Sequence, residues 1–246
     1  MNKFLLSLVL FSLCISCKKN SLNNTYKIKS ITSIYDGTTN QIIEFKYDKN
    51  DLLTQIDFKR SFQNSIETVK FEYNKLVIEK IRTNSLTANL KYDNGKIIIS
   101  KEYSSGSLNM ILSLTDKGIP YKKAYIAESG NSIIESAEIK NNTQTQCMKS
   151  FGSNGKECEW FSTKDNLTIN PLSRNIEVIV YNWIFSDSIR EAEYEKKLWG
   201  FDSDFTPSSM DDFDKIEYIR DKNNFPQKAL LHLKSGGNLE YIFKYY

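Results

Sequence analysis

Histidine is all but missing from this chain: of 246 residues, only His232 is one. A metal centre draws several ligands, and a Ser-His-Asp arrangement needs a histidine base beside its nucleophile. His232 stands in "LLHLKSG" between Leu231 and Leu233, a strand pattern, and reads as a structural or solvent-facing residue. Charge of either sign is also lacking in excess, with 33 basic against 30 acidic side chains. Without residues 1–16, whose only charged residue is Lys3, the net charge of +3 falls to +2. That is too little, and too evenly spread, for a nucleic-acid footprint. Beyond the first twenty residues no segment approaches the 18 uninterrupted apolar residues of a membrane-spanning helix. Cysteine is rare, at four, and two of these fall in "SLCISCKKN" near the start.

That start is informative. Met1-Asn2-Lys3 is a short positive segment, and Phe4 to Ile15 is apolar except for Ser7 and Ser12. The run is too short to span a bilayer and has the layout of a secretory signal. It resembles a bacterial lipoprotein signal, in which the cysteine after the cut receives the lipid. Here that residue is Cys17, with the small Ser16 before it. The family pattern prefers Leu three places earlier, where this chain has Cys14; Cys14 follows the bulky Leu13 and is a poor acceptor itself. Each acyl methylene adds about 0.8 kcal/mol of membrane burial, and two or more chains anchor stably. The expected layout is a signal peptide at 1–16, a lipidated cysteine and tether at 17–24, and one β domain at 25–246. "ISCKKN" resembles lipoprotein starts from Bacteroidota. In that group surface export goes with acidic residues after the cysteine, so Lys18 and Lys19 favour the periplasmic face of the outer membrane.

The rest of the chain alternates. There are 14 Tyr and 14 Phe, and aromatic enrichment favours strands. Phe45 and Tyr47 share one face, Asp48 to Asp51 turn, and Leu52, Thr54, Ile56 and Phe58 then line one face. The unit recurs with Val69, Phe71 and Tyr73 before Asn74-Lys75, and with Leu90 and Tyr92 before Asp93-Asn94-Gly95. It returns with Leu112 and Leu114 before Asp116-Lys117-Gly118, and again around Asp221 to Asn224. Strand, Asx/Gly turn, strand is hairpin grammar, because Asn and Gly tolerate the positive φ of tight turns. Pro120 and Pro226 each follow a turn, where a strand's first residue can lack its N–H. Leu239, Tyr241, Phe243 and Tyr245 form a closing aromatic strand. Asp187 to Gly200 is the one expected helix, with Ser188 and Glu191 as a capping box; Phe201 to Asp214 reads as a long loop.

These repeated F-x-Y-D…G-x-I units, "GFDSDFTPSSMDDFDKIEYIRDKNNFPQK" and the closing strand resemble a family of Bacteroidota lipoproteins described as a domain of unknown function with a porin-like fold. There is also a distant resemblance to the YD repeats of secreted toxins, without the Gly-Arg that follows their turns. The lipoprotein resemblance implies a large, strongly curved or closed antiparallel sheet, and it implies no activity. The fold expected is all-β: a large curved antiparallel meander, barrel-like or half-barrel, with at most one short helix.

Candidate chemistry is sparse. "GSNGKE", Gly152 to Glu157, lacks the Ser/Thr of a phosphate loop and reads as a turn. Asp202, Asp204, Asp211, Asp212 and Asp214 are oxygen donors suited to calcium, but Pro207 stands where an EF-hand loop needs Gly, so no metal is expected. Trp160, Trp183 and Trp199 are the candidate ligand-binding residues, since aromatic faces on a curved sheet stack sugars or line an apolar cavity; filling the core is the competing role. Asp187-Ser188-Ile189 also matches a short O-glycosylation signal.

Cys147 and Cys158 flank a Gly-rich turn. If the loop is Gly152 to Gly155, Cys147 faces Trp160. If it is Phe151 to Asn154, Cys147 faces Cys158, although Lys149 then meets Lys156. An exported chain with two thiols in its folded body favours a disulfide.

The expected protein is a non-enzymatic, cofactor-free envelope lipoprotein attached to the membrane by its lipid. Its function is to bind a glycan or apolar ligand, or alternatively to dock another envelope protein.

Overall fold

The computed structural model describes residues 27–103, 106–116, 118–126, 132–140, 143–150, 157–162, 170–172, 175–185, 209–210 and 212–246. Among these residues sixteen strands follow one another. They are β1 (Ile28–Tyr35), β2 (Thr38–Tyr47), β3 (Leu53–Arg60), β4 (Glu67–Asn74), β5 (Val77–Arg82), β6 (Thr87–Asp93), β7 (Lys96–Tyr103) and β8 (Gly106–Leu114). Then come β9 (Pro120–Ile126), β10 (Ser132–Lys140), β11 (Thr143–Ser150), β12 (Glu157–Ser162), β13 (Ser209–Met210), β14 (Phe213–Arg220), β15 (Pro226–Leu233) and β16 (Asn238–Tyr245). One described helix, α1 (Ile176–Phe185), lies between β12 and β13.

Every strand pairs antiparallel with its sequence neighbours, and β1 pairs with β16, so the ladder closes into a barrel. The ring is thinnest at β13, which meets β12 over two residue pairs and β14 over one. The turns the sequence marks are present, and further ones it does not mark, such as Asp36-Gly37, join them. Asp36, Asp51, Lys75, Asn94, Gly95, Gly118 and Asn224 all take positive φ. Asp48 and Asp221 each accept backbone N–H bonds within their own turns. Pro120 opens β9 and Pro226 opens β15, where no ladder donor is required.

One face assignment differs from the sequence reading. Leu53, not Leu52 or Thr54, is buried in the wall of β3. The cause is a β-bulge: Tyr47 pairs with Leu53 and Lys46 with Gln55, leaving Thr54 as the extra residue. Its hydroxyl donates to the Lys46 carbonyl. A bulge slips one strand by one residue and swaps its faces locally.

Alternation sends apolar side chains inward: Ile43, Phe45, Ile56, Val69, Phe71, Ile97, Leu112, Leu231 and Phe243 belong to one buried cluster. The inner space is further filled by α1. Its residues Val178 to Ile184 are all buried, as expected of a helix apolar all round. The expected helix at Asp187–Gly200 lies outside the described residues. The helix that is described falls in a run the sequence reading does not mark as helical.

The outer wall is charged. Lys59 pairs with Glu44, Arg82 with Glu72, and Lys228 with Glu240. Asp57 is held there by Lys46, Thr68 and Gln55. A bilayer-spanning barrel has the reverse pattern, apolar outside and polar inside, and each Lys or Arg at mid-bilayer on its lipid face costs about 2–4 kcal/mol. The described wall is that of a water-facing body.

Candidate functional site

The antiparallel order gives the barrel two distinct ends. The turns after β2, β4, β6, β8 and β14 gather at one end, together with the start of β1 and the end of β16. We refer to this end as the mouth. The last inward side chains of several strands there are tyrosines: Tyr47, Tyr73, Tyr92, Tyr218 and Tyr245. The repeated F-x-Y pattern therefore builds a girdle. The sequence reading took it only as hairpin grammar, because repetition alone does not say which end of a strand points at what.

The girdle is stitched to the backbone. Tyr73 donates to the Leu53 carbonyl at 2.7 Å, Tyr245 to the Pro226 carbonyl at 2.7 Å, and Tyr246 to the Phe45 carbonyl at 2.9 Å. Helix α1 begins at this end. Tyr47 donates to Asn175 Oδ1 at 3.4 Å, and Tyr73 also lies 3.2 Å from Glu177 Oε1. Asn175 offers its carbonyl to the amides of Val178 and Ile179, closing the first turn. The helix then runs inward. Tyr181 lies against Phe58 and stacks on Phe185, and the carbonyl of Ile184 accepts from the buried Lys101 ammonium at 3.1 Å. That ammonium sits over the Phe185 ring. A cation at a helix C-terminus satisfies the carbonyls left without intrahelical partners and suits the helix dipole.

Burial keeps the mouth tyrosines in their neutral form. Burial, then the charge of Glu177, push the Tyr47 and Tyr73 hydroxyls far above the ordinary tyrosine value; burial, then Asp221, does the same at Tyr245. Tyr92 is pushed up to about 12 by the same two causes as Tyr47, although 41% of it is exposed and solvent screens part of the effect. All four stay protonated at neutral pH.

The sequence candidates are scattered. Trp183 is on α1 with 0% of its surface exposed. Trp160 is on β12, its backbone opposite Thr145. Trp199, Cys17, the O-glycosylation match and Asp202, Asp204 and Asp211 lie outside the described residues. Asp212 and Asp214 flank the start of β14, and among the described residues no three His, Cys, Asp or Glu gather as metal ligands. Glu157 opens a strand where a phosphate loop would open a helix. His232 lies on β15 with Nε2 3.3 Å from Glu217 Oε2. Hydrogen bonds from Lys215 first, then His232, hold that exposed carboxyl below its ordinary value. Cys147 pairs with Cys158 and Met148 with Glu157, which is the register that sets the two cysteines opposite one another.

The described chain is thus a closed antiparallel barrel with a filled core, a tyrosine mouth and a charged outer wall. Among solved structures, the chain is similar to a porin-like protein from Bacteroides uniformis ATCC 8492, with TM-score 0.61 and 12% identity over 91% of this chain and 98% of that one. A porin-like protein from Bacteroides vulgatus ATCC 8482 aligns at TM-score 0.40 and 9% identity over 90% of this chain and 99% of that one. At such identities the first likeness speaks for the fold alone. No family model matches the chain, and no curated protein matches it.

Proposed function

We propose that this is a lipid-anchored protein of the bacterial envelope, held on the periplasmic side of the outer membrane, that docks another envelope component and performs no catalysis. The observation that carries the reading is the mouth, where more of the exposed tyrosine and aliphatic side chains of the described residues stand than at the opposite end. Docking is supported over capture of a glycan or apolar ligand by what fills the concave face: α1 occupies it, with Trp183 inaccessible. The ladder closes from β1 to β16, and its described edges meet least at β13, which pairs two residues of β12 and one of β14. The exposed rings of Tyr92 and Tyr121 offer faces and hydroxyls to a partner, while Tyr47, Tyr73 and Tyr245 donate their protons inside the barrel.

A glycan array and a panel of apolar fluorescent probes test this on the full-length acylated protein, with Tyr92→Ala/Tyr121→Ala as the comparison. No glycan or probe retained supports docking. Retention that the double variant abolishes returns the reading to a ligand-binding module.

A further inference from the structure

Exposed apolar side chains are unevenly shared between the two ends. Leu76 is 75% exposed, Ile219 59%, Tyr246 53%, Val77 48%, Tyr121 42% and Tyr92 41%, and all six stand at the mouth. They come from the β4–β5 turn, β5, β6, β9, β14 and the end of β16, and so from several sides of the described rim; Ile98 and Ile111, opposed on β7 and β8, are exposed on the wall beside it. The opposite end carries Tyr35, Phe62 and Ile66. Among the mouth turns the exposed Lys49, Lys75, Lys96 and Lys222 alternate with the exposed Asp93 and Asp116. Asp48 and Asp221 at the same turns accept the amides of Leu52 and Phe225. Tyrosine and aliphatic groups interleaved with lysine are the composition that settles at a membrane's headgroup layer.

The chain's own geometry names the occupant. β1 starts at the mouth, so the ten residues from Cys17 to Tyr26 lead there. Ten residues reach at most about 35 Å. A surface tethered that closely meets its partner at an effective concentration of order millimolar, so weak rim contacts suffice. We infer that the barrel sits mouth-down on the bilayer that holds its anchor, with the rim in the headgroup layer and the opposite end facing away. The inference rests on the lipid-anchored reading above and names the membrane itself as the docked component.

Hydrogen–deuterium exchange of the full-length protein decides it. The acylated protein is placed on phosphatidylcholine/phosphatidylglycerol vesicles and compared with the same sample after cleavage at a protease site engineered into residues 18–24. Intact mass first reports the acyl chains on Cys17. Residues 74–77, 93–96 and 221–225 are expected to exchange several-fold more slowly on vesicles than after release, while 61–66 and 83–86 exchange alike. Leu76→Asp/Ile219→Asp removes the protection and keeps the acyl mass; Phe62→Asp changes neither. Equal exchange at both ends of acylated protein overturns the docking and leaves the anchor standing. An unacylated Cys17 overturns the anchor, and the docking with it.

Discussion

Cys147 stands directly opposite Cys158 in the β11–β12 ladder. Opposed residues of an antiparallel pair have Cα atoms about 4.5–5.5 Å apart, inside the disulfide limit of about 7 Å. In an oxidising envelope the two thiols are expected to bond. Alkylation of the unreduced protein should then leave both masked, with two adducts appearing only after reduction. Reduction should lower stability by about 3 kcal/mol in the chain-entropy picture. Two adducts without reductant would refute the bridge.

Asp57 predicts an acid-side loss of stability. It is 5% exposed. Burial disfavours its charge, but hydrogen bonds from Lys46, Thr68 and Gln55 more than offset this and hold the carboxyl below its ordinary value. A depressed carboxyl stabilises above its unfolded value of about 3.9, and the contribution fades as pH falls through the folded value. Asp57→Asn should cost about 1–3 kcal/mol at pH 7. Urea melts should show that gap narrowing below pH 4; a gap independent of pH would contradict the assignment.

Lys101 ties the wall to the helix. Lys101→Met keeps the stem but removes the bond to the Ile184 carbonyl, and should destabilise by about 1.5–3 kcal/mol. Near-ultraviolet circular dichroism, which reports the buried Tyr181 and Trp183, should weaken on heating before the strand signal does. Coincident melting of both signals would mean the helix has no separate transition.

Ser33 and Gln41 oppose one another across β1 and β2, and their buried Oγ and Nε2 atoms have no hydrogen-bond partner. Replacing both members of such a pair with apolar groups can be neutral or stabilising. Ser33→Ala/Gln41→Leu should therefore melt at or above the wild-type temperature in a thermal scan. A fall of several degrees would reveal that these atoms are satisfied in solution.

Cys17→Ala tests the anchor. The body should leave the membrane fraction, or the precursor should stay uncleaved, and palmitate labelling should vanish. Label persisting on the variant would assign the lipid elsewhere.

Local chemistry made the hairpins legible. Asp93-Asn94-Gly95 announced a turn because few other residues accept the φ values seen at Asn94 and Gly95. The strand faces followed from period-two alternation, except at Thr54, where a bulge depends on the partner strand. The helix was not legible. "IEVIVYNWIF" is apolar at nearly every position and rich in β-branched residues, so it reads as a buried strand as readily as a buried helix. Closure of the ring depends on contacts between the two ends of the described chain, which no local pattern encodes. The cysteine register was countable, but opposed lysines weighed against the register that occurs. The mouth needed strand direction and end assignment before the F-x-Y repeats could be seen as one girdle.

The seam between β1 and β16 has a kinetic consequence. Its pairs join residues about 200 positions apart, from Tyr35 with Leu239 to Ile28 with Tyr245. The entropy of closing so long a loop is lost before the seam gives anything back, which makes closure a slow, late step. Until it happens, β1 and the growing opposite strand each expose an open row of amides and carbonyls to any neighbouring chain. Newly made copies are thus most prone to pair with one another in the interval between forming their hairpins and completing the ring.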